Sequence, residues 1–175
     1  TALLATGTLI GFGIASRDLG SGGSPERMAA VGAAVGVPGF AAIILASLGG
    51  GTATFLAGTL ATGLGAGLFG HATLTATIRA APRERIGLSL GAWGAVQATS
   101  AGIGVALAGI VRDVIVGLHG STGSTPHMAY NVVFMIEALV LVLAIAVALP
   151  LALKARRTGA GYRPEATNTK TVEVS

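Results

Sequence analysis

The chain has 175 residues, of which 52% are hydrophobic and 10% charged, with 28 glycines, no cysteine and a net charge of +4. Soluble domains carry about a quarter charged residues, so the chain lacks the polar surface of a soluble globule, and its Leu, Ile and Val content argues against a glycine-rich disordered chain. The absence of cysteine excludes disulfides and thiolate metal sites. The basic residues lie in short loops between apolar runs, not in the stripe that nucleic-acid binding requires.

The first run, TALLATGTLIGFGIAS over residues 1–16, is shorter than the roughly 20 residues of a full span and has no basic n-region. It reads as a partial transmembrane helix at the start of a fragment. The linker SRDLGSGGSPER (16–27) places Pro25 just before the next helix. Four further apolar runs cover about 27–48, 53–78, 86–111 and 129–153, each long enough to cross a hydrocarbon core. Backbone groups in lipid must bond internally, which predicts helices. Their linkers are LGGGTAT (48–54), RAAPRER (79–85) and LHGSTGSTPH (118–127). Beyond Leu153 a polar tail, 154–175, is predicted to be disordered. The expected fold class is all-α, a polytopic transmembrane helix bundle.

Lys and Arg alternate between the linkers. Arg17 and Arg27, then Arg79, Arg83 and Arg85, then Lys154, Arg156, Arg157 and Arg163 fall on one side by helix alternation. That side is expected to be cytoplasmic, with the C-terminus there. Arg112 is the exception, softened by the adjacent Asp113.

Steps of four give Thr59, Gly63, Gly67, His71 and Thr75 along one helix face, a small-residue row that lets another helix come close. Gly87, Gly91, Ala95 and Thr99 form a second such row, with Trp93 and Gln97 four apart beside it. Glu137 sits near the centre of the last run, where an acid costs roughly 2.5–3.5 kcal/mol on the insertion scale and faces a bundle interior or cavity. His71 is open to three roles: an interhelical hydrogen bond, a ligand or pigment contact, or a proton relay. Gln97 reads as helix glue or contact residue, and Arg79, Arg83 and Arg85 as topology determinants. No Walker loop, metal-ligand cluster or nucleophile triad is present, so no enzymatic reaction and no metal site are expected.

Two stretches go beyond composition. GAGLFGHATLTATIRAAPRERIGLSLGAWGAVQATSAGIGVALAGIVRD (65–113), with its GLFGHATLTA and GLSLGAWGAVQATSAG runs, resembles the PucC/LhaA family of light-harvesting complex assembly proteins. GFGIASRDLGSGGSPERMA (11–29) resembles that family's basic loop, and AYNVVFMIEALVL (129–141) its last helix, acid included. The resemblance implies the C-terminal half of a major-facilitator-like twelve-helix fold in the inner or intracytoplasmic photosynthetic membrane of a bacterium. It implies antenna assembly, with light-harvesting antenna subunits, membrane lipid and the missing N-terminal half as partners, and bacteriochlorophyll as the one candidate cofactor. His71, Gln97, Trp93 and Glu137 would then contact pigment or substrate. Transport of a small solute by alternating access is the alternative, with His71, Gln97 and Glu137 lining a cavity.

Overall fold

In the computed structural model every regular element among the described residues is helical. Residues 2–119 and 125–159 are described, the side chains of 119, 125–127, 148–149 and 151–159 apart. The helices are α1 (Ala2–Gly20), α2 (Pro25–Leu45), α3 (Gly51–Ala80), α4 (Ile86–His119) and α5 (Thr125–Gly159).

Each boundary has a local cause. Ser24 caps α2, its Oγ accepting from the Arg27 N–H at 3.3 Å, and Pro25 fills the first position, where no backbone donor is needed. A π-turn over Ala46–Gly50 separates α2 from α3, with Gly49 (φ 113°) and Gly51 (φ 79°) in the left-handed region that a Cβ disfavours. Pro82 stops α3, because the residue before a proline is pushed out of helical geometry.

Among the described residues, three segments are long and apolar enough to cross a membrane: Pro25–Ala80, Arg83–Leu118 and Met128–Val147. The first is bent at Ala46–Gly50 into the hairpin of α2 and α3. Three helices outrun the apolar runs. α1 continues through Arg17 and Asp18 to Gly20, α4 passes residue 111 to reach His119, and α5 runs on to Gly159. Arg and Lys are good helix formers, so charge ends the apolar run without ending the helix. The tail expected over 154–175 therefore begins inside α5, and 160–175 lie outside the described residues.

The core of the bundle is α3, held between α1 and α2. Gly63 lies against the carbonyl of Leu4 and Gly67 against that of Thr8, while Gly7 and Gly11 lie against the carbonyls of Leu60 and Leu64. These pairs advance together along both helices, so α1 and α3 run parallel. On another face, Gly39 meets Thr62 and Gly32 meets Phe69, the opposed order of an antiparallel pair. Lipid tails are as apolar as Leu, so helix association here rests on close packing, which glycine permits. Ala15, Leu19, Met28, Ala29, Leu68 and Ala72 form a buried cluster where α1, α2 and α3 meet.

α5 packs on α2, with Leu141 against Gly36 and Phe40 beside Phe134, and α4 rests on α5 and α3. No described residue of α4 is buried. Gly87 and Gly91, expected to pack a second helix, have no atom within 4 Å of an added Cβ. A four-residue period makes a face small, but a neighbouring helix must still reach it, and α4 touches α3 through Trp93 instead.

Candidate functional site

The row Gly63, Gly67, His71 faces α1 along its length. The His71 ring meets Phe12 edge to face, with centroids 4.1 Å apart and planes at 61°. Its Nδ1 is enclosed and has no hydrogen-bond partner. Two residues further along α3, Trp93 reaches back from α4, its Nε1 donating to Thr73 Oγ1 at 3.4 Å. Thr73 in turn donates to carbonyls of its own helix, Phe69 and Gly70, each at 3.0 Å. Trp93 is thus a peg between α4 and α3.

Gln97 and Glu137 line separate clefts that share walls from α2 and α5. Gln97 lines a cleft of about 280 Å³ with Thr62, Phe69, Phe40 and Leu141. Thr62 Oγ1 is buried there without a hydrogen-bond partner. Glu137 lines a second cleft of about 390 Å³ with Leu107, Val133, Ile136, Phe40 and Leu141. Phe40 and Leu141 are common to both, so the amide and the acid flank one aromatic–aliphatic partition. Thr125 starts α5, and at 1.5 Å per residue Glu137 lies about 18 Å along it, near mid-membrane depth. Neither cleft includes His71 or Trp93 in its lining. The four residues singled out from the sequence therefore divide into two packing residues and two cleft residues.

The three arginines of the loop after α3 also divide. Arg79 donates from Nη1 to the Gly23 carbonyl at 2.9 Å and from Nη2 to the Leu19 carbonyl at 2.8 Å. It adds a second donor to the Leu19 carbonyl, which also accepts from the Gly22 N–H at 3.3 Å, holds the Gly23 carbonyl of the loop, and so ties the end of α1 to α3. Arg83 and Arg85 lie in the short 3₁₀ turn before α4, and both are exposed. Sequence reading missed this clamp and the unpartnered Thr62 hydroxyl, since both depend on neighbours far away in the chain.

This arrangement defines a class: a polytopic helical membrane bundle, packed on glycine faces and carrying Glu137 in an apolar cleft. Comparison with known families matches residues 1–156 to the one described as "PUCC protein". The chain belongs to the PucC family. It is 64% identical over 144 residues to Protein PucC of Rhodobacter capsulatus, covering 81% of this chain and 31% of that protein. It is 52% identical over 160 residues to Protein PucC of Cereibacter sphaeroides, covering 90% and 35%. A third relative, 41% identical over 142 residues (78% of this chain and 30% of that protein), is an uncharacterized protein in the puhA-bchM intergenic region of Rhodobacter capsulatus. The chain thus spans about a third of the length of these relatives. No solved structure matches.

Proposed function

We propose that the chain is part of an integral membrane assembly factor for bacterial light-harvesting antenna. The observation that carries this reading is the 64% identity to a PucC protein over 81% of the chain. In this reading the five helices close the C-terminal half of a major-facilitator-like twelve-helix fold in the inner or intracytoplasmic photosynthetic membrane. The clefts beside Phe40 receive an apolar segment of an antenna subunit. Apolar contact alone discriminates little in lipid, so Glu137 and Gln97 supply the polar contacts that select the partner. Solute transport draws no support from these relatives.

The test is antenna assembly in a phototrophic host whose own gene is deleted, complemented by the full-length protein. Glu137→Ala is expected to lower the antenna absorbance roughly three- to tenfold, the worth of one net hydrogen bond. Glu137→Gln keeps shape and hydrogen bonding and is expected to assemble near the normal level. Normal antenna in both variants would remove Glu137 from the site.

Bacteriochlorophyll is the pigment class such a factor would handle, and a neutral imidazole is the side chain here that could hold its magnesium. His71 fits that role poorly. An imidazole ligating through Nε2 carries its hydrogen on Nδ1, and that hydrogen needs an acceptor. Nδ1 of His71 is enclosed with none. We therefore assign His71 to the contact between α1 and α3. His71→Leu is expected to lower the melting temperature of the full-length protein, by about 1 kcal/mol or less in stability, and to leave copurified pigment unchanged. Pigment loss from a protein of unaltered melting temperature would reverse that assignment.

A further inference from the structure

Arg112 stands at the end of the bundle opposite Arg17, Arg27, Arg79, Arg83 and Arg85. Basic residues are scarce at that end of a membrane protein, so this one calls for a reason. Ile86 starts α4, and Arg112 lies about 39 Å along it at 1.5 Å per residue. A hydrocarbon core is about 30 Å thick, which brings the guanidinium to headgroup level.

The guanidinium is positioned by its surroundings. It stands over the Tyr130 ring, 5.7 Å from the centroid. Its Nη1 donates to Asp113 Oδ1 at 2.6 Å, and its Nε is enclosed without an acceptor. The Asp113 side chain is 71% exposed, so water screens its charge and a headgroup can compete with it. Tyr130 also forms the lip of a cleft of about 510 Å³, walled by Phe55, Phe134 and Ile43. Ser47 crosses that cleft, its Oγ donating to Asn131 Oδ1 at 2.7 Å. Phe134 continues inward to Phe40, with ring centroids 6.1 Å apart. A cation and phenol thus stand beside a cleft whose larger walls, Phe55, Phe134 and Ile43, are apolar.

We propose that Arg112 and Tyr130 bind the phosphodiester of an anionic phospholipid, whose acyl chain lies in the cleft between Phe55 and Phe134. A guanidinium on an aromatic face presents its remaining donors to phosphate in a fixed plane. The acyl chain distinguishes this ligand from a free phosphate ion. The site lies apart from Glu137 and Gln97 and does not depend on their role.

The experiment uses the full-length protein in nanodiscs of phosphatidylcholine containing a minor fraction of phosphatidylglycerol. Lipids retained after detergent washing are counted by native mass spectrometry. Phosphatidylglycerol should be enriched over its share, Arg112→Gln should lower that enrichment about tenfold, the scale of a charge-assisted hydrogen bond, and Asp113→Asn should raise it. Millimolar inorganic phosphate should not displace the lipid. Full enrichment in Arg112→Gln overturns the proposal, as does none in the wild type or full displacement by inorganic phosphate. A melting temperature in pure phosphatidylcholine shows whether Arg112→Gln is folded. If it is not, Asp113→Asn decides: no gain in phosphatidylglycerol overturns the proposal.

Discussion

Gly67→Val is expected to detach α1 from α3. An added Cβ at Gly67 would collide with the Thr8 carbonyl and stand 2.9 Å from the Phe12 nitrogen, both of them backbone atoms. No flexible side chain is available to give way, so one helix must move. Overpacking of this kind costs about 1–3 kcal/mol and occasionally more, and a displaced α1 would also part Phe12 from His71. Gly70→Val, on the same helix, is the control, because nothing lies within 4 Å of its added Cβ. Thermal unfolding in one detergent should show a large drop for Gly67→Val and a small one for Gly70→Val. Equal drops would mean that helix propensity, not the contact with α1, sets the cost.

The second large effect is all-or-none. A reporter that fluoresces only in the cytoplasm, fused after Thr158, is expected to be bright. The physical basis is the gathering of Arg17, Arg27, Arg79, Arg83 and Arg85 at one end of the bundle, the end toward which α5 runs. Positively charged loops are retained on the cytoplasmic side during insertion. Arg79 has a second use there as the clamp on Leu19 and Gly23, yet its charge still counts toward retention. A dark fusion, with activity from a periplasmic reporter at the same position, would invert the whole topology. The lipid site at Arg112 would then face the cytoplasm.

Much of this fold was legible in the residues, for a reason that also marks where reading stopped. Apolar runs of membrane-crossing length locate helices, because lipid leaves the backbone few alternatives. They do not locate helix ends, as Arg17 and Asp18 inside α1 and Arg112 inside α4 show. The period of four identified Gly63, Gly67 and His71 as one face, and α1 covers it. The same period identified Gly87 and Gly91, and no described residue covers them. Local spacing determines which side chains share a face, whereas the neighbour on that face comes from elsewhere in the chain. The division of Gln97 and Glu137 between two clefts that share Phe40 and Leu141 was illegible for that reason, since it involves α2, α4 and α5.

The double occupancy of α3 has a consequence for how the chain tolerates change. Gly63 and Gly67 are pressed by α1, and Gly58 and Gly65 by α2, so the helix has little free circumference along its middle. A side chain enlarged at any of these four positions meets backbone, and no single compensating substitution in a neighbour can make room. α4 is the opposite case. At Gly102, Gly104 and Gly109 an added Cβ meets open space, so larger side chains there fit the described bundle without any partner having to change. Larger residues should therefore be rare at these four positions of α3 among natural versions of this segment, although both helices are equally rich in glycine to the eye.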